Sequence, residues 1–172
     1  MKRWEFTGEE KMIFGITMKR IRAVVAFTLR GGIKIEAGEN GGWIEKEENL
    51  SGNAWVFDDA WVFGNARVFG NALVSGNALV SGNALVSDNA HYLQIGPAGS
   101  RNDYTTFTRD QSGTIYVFCG CFFGTIAEFR EKVKETHGDN KHAKVYLAAA
   151  DLAELQIDTT PIENKPKEGE SK

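Results

Sequence analysis

Residues 75–90 read SGNALVSGNALVSDNA, a six-residue phrase that can be followed back to Leu50. Leu50, Val56, Val62, Val68, Val74, Val80 and Val86 recur at one phase, and Ala54, Ala60, Ala66, Ala72, Ala78, Ala84 and Ala90 at another. An amphipathic helix keeps a 3.6-residue period and does not carry Gly-Asn in every turn. Short extended pieces, each broken by Gly-Asn, instead fit a chain that turns a corner once per phrase. Glycine tolerates positive φ without steric cost, and asparagine does so better than most residues.

This spacing resembles the hexapeptide repeat of left-handed parallel β-helices, most strongly from Ile44 to Tyr92. The resemblance implies a mainly β fold in which the aliphatic residue points inward, alanine fills the corner and Gly-Asn makes the turn. Three phrases then form one coil of about eighteen residues, and repeats stack on their neighbours. Val56 should lie over Val74 and Tyr92, Val62 over Val80, and Leu50 over Val68 and Val86. Asn53, Asn71 and Asn89 should form one turn ladder, and Asn65 with Asn83 another. Only about two and a half coils are present, and such a stub needs caps, because its end coils expose strand edges.

Residues flanking each inward valine should point outward. These are Trp55, Phe57, Trp61, Phe63, Arg67 and Phe69, followed one coil later by Leu73, Leu79 and Leu85 with serines. A face so rich in aromatic and aliphatic side chains is not an ordinary monomer surface. Either terminal segments cover it, or it packs against copies of itself. The resemblance implies trimers about a threefold axis, so Trp55, Phe57, Trp61, Phe63, Phe69, Leu73, Leu79 and Leu85 are the expected interface of a homotrimer or a multiple of it.

The flanks divide the chain into an N-terminal β cap (1–43), repeats (44–98), a hairpin with two helices (99–157) and a disordered polar tail (158–172). The pair Gly41-Gly42 reads as a tight turn, with Trp43 and Ile44 as core anchors. Tyr104–Arg109 and Thr114–Phe118 alternate around Asp110–Gly113, the pattern of a β-hairpin. Thr125 and Glu128 form a capping box that opens an α-helix presenting Ile126, Phe129 and Val133 on one face. Gly138 ends this helix, and Asp139 is the expected cap of a second one carrying Ala143, Tyr146, Leu147 and Ala150. The phrases GGWIEKEENLS, CGCFFGTIAEF and THGDN resemble short hexapeptide-repeat proteins encoded by phages and prophages, over most of the chain apart from the tail.

The formal charge of -3 argues against general nucleic-acid binding. Residues 1–35 hold eight Lys/Arg against three Asp/Glu, whereas residues 36–98 hold two against eight. No long apolar run suggests a membrane span, and the basic start lacks the apolar core of a signal peptide. Cys119 and Cys121 lie too close along one strand for a comfortable disulfide, which points to the cytosol, here that of a bacterial host.

Acyl transfer is the main chemistry that the fold resemblance brings with it, and it implies a histidine base at a groove between subunits. His91 is the only histidine on the regular repeats, at an outward position, and no loop interrupts the repeats beside it. The trimeric carbonic anhydrases, which resemble this fold, need three histidines on zinc. Here His137 and His142 belong to the helical region, no ligand cluster forms, and no metal or other cofactor is expected. Ice binding would want rows of threonine, which the outward columns lack.

Binding remains. The segment IGPAGSRNDYTTFTR interrupts the repeat with glycines, an arginine and hydroxyls. Arg101 suits a phosphate, Ser100, Asn102, Thr105 and Thr106 offer donors, and Tyr104 or Phe107 can stack a base. Lys19, Arg20 and Arg22 would add positive charge across an oligomer. The expectation is a non-enzymatic binding protein that sequesters a small anionic, nucleotide-like signal at inter-subunit clefts and so counters host defence. Its rivals are a module docking a host or virion protein through the Phe129/Val133 helix, and an acyltransferase using His91.

Overall fold

A computed structural model describes residues 2–162. The chain opens with a long hairpin, β1 (Trp4–Ile13) and β2 (Ile16–Ala23), continues through β3 (Phe27–Thr28) and β4 (Lys34–Ile35), and enters β5 (Asn40–Ile44). Six two-residue strands follow in step with the repeat: β6 (Trp55–Val56), β7 (Trp61–Val62), β8 (Arg67–Val68), β9 (Leu73–Val74), β10 (Leu79–Val80) and β11 (Leu85–Val86). The chain then makes β12 (Tyr92–Ala98), β13 (Asp103–Arg109), β14 (Ile115–Cys119) and β15 (Phe122–Thr125), and ends in α1 (Ile126–His137) and α2 (Lys141–Gln156).

The short strands pair in parallel, each with the strand three phrases away. Trp55-Val56 lies on Leu73-Val74, Arg67-Val68 on Leu85-Val86, and Trp43-Ile44 on Trp61-Val62 on Leu79-Val80. All six inward valines of these strands are fully buried, and the alanines from Ala54 to Ala84 lie between them with at most 4% exposed. Each buried valine contributes roughly 1.5–3 kcal/mol relative to an exposed one. The repeat glycines 52, 64, 70, 76 and 82 hold φ between 64 and 68°, and Asp58 takes φ 51° where the phrase lacks its glycine. Asn53 donates to Asn71 and Asn65 to Asn83, both at 3.4 Å, giving the expected turn ladders. The Asn89 side chain lies outside the described residues.

Both ends of the stack are covered. On the first side β2 pairs antiparallel with β5, so the β1–β2 hairpin extends one repeat face into a five-stranded sheet. Gly41 and Gly42 are not a turn but part of β5. A Cβ on Gly41 would come within 2.7 Å of Ile21 and of the Val56 carbonyl, so the strands approach too closely for any side chain. Asn49, almost fully buried, plugs the first corner by donating to the carbonyls of Gly64 and Ala66 and accepting from the Lys46 amide.

On the second side the repeat ends earlier than expected. Leu50 bridges to Val68, and Val68 continues to Val86; Tyr92 packs on the repeat core that holds Val56 and Val74 but does not pair with Val74. Asp88 caps a 3-10 turn at Asn89–His91, and Tyr92 instead pairs with Thr108. The expected hairpin is therefore part of a four-stranded antiparallel sheet, β12–β13–β14–β15, which also claims residues 92–98. This sheet closes the last coil. Thr106 accepts a hydrogen bond from the Leu79 amide at 3.2 Å, and the Phe123 ring packs where a Cβ on Gly82 would stand.

The sheet and helices have their own core of Phe107, Val117, Phe129, Val133, Tyr146 and Ala150 among others. The Thr125/Glu128 capping box is complete, and Gly138 follows α1 with φ 55°. The cap of α2 is Asn140, not Asp139, because Asn140 Oδ1 accepts from the His142 and Ala143 amides at 2.8 and 3.0 Å. Arg130 ties the helices together through Asp151 and Glu154, each at 2.7 Å. The first residues of the expected disordered tail are held: Asp158 donates its amide to Ala90, and Arg109 donates to the Thr160 carbonyl at 2.7 Å. Residues 163–172 lie outside the described residues. No described helix is long and apolar enough to cross a membrane.

Candidate functional site: a cleft between hairpin, repeats and sheet

Three segments meet around a cleft of about 750 Å³. The hairpin tip supplies Lys11 and Phe14, the repeats supply Asp59, Trp61 and Leu79, and the final sheet supplies Arg101, Asp103, Tyr104 and Phe118. The volume falls within the range of small-molecule sites, and Phe14, Trp61, Tyr104 and Phe118 put four aromatic rings in its walls. Phe14 reaches across to Phe118, with ring centroids 5.9 Å apart, so the hairpin tip roofs one side.

The charges around the cleft differ in how they are held. The Lys11 ammonium sits over the indoles of Trp43 and Trp61, 4.0 and 4.8 Å from the ring centroids, and 4.0 Å from Asp59. Partial burial pushes its pKa below the ordinary lysine range, against the opposing pull of Asp59. Arg101 is exposed and makes no hydrogen bond or ion pair among the described residues. Its guanidinium lies against Gly120, where a Cβ would come 2.8 Å from Cζ, so the glycine makes room for that pose. The Trp61 indole N–H, like those of Trp43 and Trp55, is buried with no acceptor among the described residues.

The expected ligand residues divide. Arg101 and Tyr104 line this cleft. Ser100 and Arg101 line a second cavity of about 300 Å³ against α1, together with Cys119, Phe122, Phe129, Lys132, Thr136, His137 and Tyr146. The Ser100 amide donates to the Tyr146 hydroxyl at 3.2 Å. Asn102 is exposed in the turn with φ 50°. Thr105 and Thr106 are buried and spent on structure: Thr105 donates to the Cys119 sulfur, and Thr106 accepts from Leu79. Phe107 is fully buried, so it stacks no base. Within one chain Lys19, Arg20 and Arg22 stay on the hairpin: Lys19 over Phe6, Arg20 paired with Glu9, Arg22 with Glu5.

Other expectations are corrected by burial. Trp55 is fully buried, so it is not part of an exposed interface face: the N-terminal segment covers it, with Phe27 edge-on 5.4 Å away and Leu29 and Ile35 in the same core. Phe57 and Leu73 are partly buried against the same core, while Phe63, Phe69, Leu79 and Leu85 are half-exposed and Trp61 faces the cleft. His91 is not outward either. Only 8% exposed, its Nδ1 accepts from the Ser87 amide at 3.2 Å, and burial together with nearby Arg109 holds its pKa below the usual histidine value. Phe129 and Val133 lie in the second core and offer no docking face. Cys119 is a half-buried thiol whose pKa burial raises, despite hydrogen bonds from Thr105 and Tyr146, which disfavours the reactive thiolate.

Sequence reasoning missed Lys11, Phe14, Asp59, Asp103 and Phe118. Asp59 carried a signal, since it stands where the phrase elsewhere has asparagine. The hairpin tip carried none that ties it to residues a hundred positions away.

Against known families, the YdcK β-solenoid repeat matches three overlapping windows, residues 60–76, 66–82 and 72–88. The central repeats are β-solenoid repeats. No curated protein and no solved structure gives a match.

Proposed function

We propose that the protein is a non-enzymatic binding protein whose cleft captures a small, flat, anionic ligand of the nucleotide kind. One observation carries the reading: an arginine with no hydrogen bond or ion pair among the described residues lines a concave site together with Phe14, Trp61, Tyr104 and Phe118. A guanidinium donates in pairs to phosphate oxygens, and an aromatic ring offers a stacking surface to a base. The Lys11 ammonium adds a second positive charge at the same site.

On this reading the solenoid is a left-handed hexapeptide-repeat coil, assembled as a homotrimer or a multiple of it through the half-exposed Phe63, Phe69 and Leu85. The host is a bacterium, the gene belongs to a phage or prophage, and the protein works in the host cytosol, withholding a signal from a defence pathway. Docking of a protein partner is the second reading. The exposed Leu152 and Leu155 on α2, 47% and 86% accessible, favour it over the Phe129/Val133 face. Acyl transfer through His91 has little support, since the ring is buried and already accepts from Ser87.

Isothermal titration with nucleoside monophosphates, short dinucleotides and acyl-CoA tests the reading. Binding by a nucleotide that disappears in Arg101→Ala, with an unchanged melting temperature, is the expected result. Binding of acyl-CoA alone, or of nothing, overturns it.

A further inference from the structure

The cleft and the smaller cavity share a wall. Arg101 and Cys121 line both, so a guanidinium with no hydrogen bond or ion pair among the described residues stands between two spaces of about 750 and 300 Å³. The smaller space is also flat-walled. The His137 ring stacks on Tyr146 at 5.6 Å with an interplanar angle of 28°, Phe129 meets Tyr146 edge-on, and Phe122 packs on Phe129. Ser100 Oγ lies 3.5 Å from His137 Nε2 and 3.4 Å from the Tyr146 hydroxyl, giving this space polar groups of its own.

Charge limits what can lie across the wall. In the larger cleft Lys11 and Arg101 are matched by Asp59 and Asp103. The carboxylates repel a densely charged chain of phosphates, while one negative charge at Arg101 keeps its pairing. No carboxylate lines the smaller cavity, whose rim carries Lys132 paired with Glu135 at 2.9 Å.

We infer that the ligand has two flat arms joined by a single phosphodiester, a dinucleotide rather than a mononucleotide or a nucleoside triphosphate. The phosphodiester pairs with Arg101, one base lies against Tyr104 and Trp61, and the other enters the cavity beside Tyr146. This rests on the reading of the cleft given above. Joining two weakly held halves through one anchor raises affinity without any new kind of contact.

The test is titration of the full-length protein with adenosine monophosphate, adenylyl-(3′→5′)-adenosine and adenosine triphosphate. The wild type, Thr136→Trp and Lys132→Glu are compared, and Thr136 and Lys132 are both exposed at the rim of the smaller cavity. The expected result is dinucleotide binding about tenfold or more tighter than monophosphate binding. Thr136→Trp, which fills the cavity, should erase that advantage and leave monophosphate binding unchanged. Lys132→Glu should weaken the dinucleotide alone. Equal binding of mono- and dinucleotide, tightest binding of the triphosphate, or indifference to both variants overturns the two-armed ligand while leaving the cleft reading intact. Failure of all three ligands to bind overturns both.

Discussion

In the repeat stack each buried column comes from one residue class at a constant spacing, whereas the cleft on its flank draws on three segments and ten residue types. Ile44, Val62 and Val80 follow one another through parallel pairing at a constant sequence interval. Lys11, Trp61 and Arg101 meet only because a hairpin tip and a sheet turn are carried to the same repeat face. Periodicity thus specifies a rigid surface, and the aperiodic segments added to it decide what that surface can hold. Fold and site are separable for this reason.

The sharpest way to break the comparison is to place a charge in the periodic part. Val62→Asp buries a carboxylate with no partner in the middle of a column, and the expected loss exceeds about 4 kcal/mol. Circular dichroism should show loss of the cooperative melt; a folded variant would mean that the columns do not carry stability. Trp55→Ala tests the seam between periodic and aperiodic parts, because Phe27 and its neighbours cover that ring. A cost of about 3–5 kcal/mol is expected in denaturant titration. A near-neutral result would show Trp55 to be a surface residue of the monomer.

Thr106→Val probes the junction of stack and sheet by leaving the Leu79 amide without its acceptor. About 1–3 kcal/mol should be lost. Asn140→Ala, confined to the helices, should cost about 1 kcal/mol. The smallest effect is one of pH. Because the folded protein holds His91 below its ordinary pKa near 6.5, the unfolded chain binds the extra proton first. The contribution of His91 is therefore complete above about pH 6.5 and is lost as pH falls through the depressed value. Melting temperature should drop on acidification across that window, and His91→Asn should flatten the drop.

The inward valines, the corner alanines and the turn asparagines could be read from the sequence because each repeats at a fixed offset. So could the hairpin at Asp110–Gly113 and the Thr125/Glu128 cap, whose signals are local. What covers Trp55 could not. Trp55 and Trp61 hold the same phase of the phrase, yet one is sealed within a core shared with Phe27, Leu29 and Ile35, which have no period of their own. Thr105 and Thr106 looked like ligand donors because strand alternation gives the side of a residue but not the neighbour waiting there. His91 was misplaced for a related reason. The regular phrase extrapolates it outward, but the 3-10 turn at Asn89–His91 rotates the chain, and the held segment after Asp158 closes over the end. Of the cleft, only Arg101 and Tyr104 were visible beforehand, since their partners stand far away in sequence.

The central claim is that the Trp61 face of the cleft receives a ligand. The four tryptophans make it directly measurable through their indole N–H resonances, with Trp61 assigned by Trp61→Phe. Titration with adenylyl-(3′→5′)-adenosine should move the signal of Trp61, whose ring lines the cleft, and leave those of the buried Trp4 and Trp55 in place. The same titration in Arg101→Ala should move nothing. A Trp61 signal that stays fixed at saturating ligand, or a shift that survives Arg101→Ala unchanged, would contradict the account.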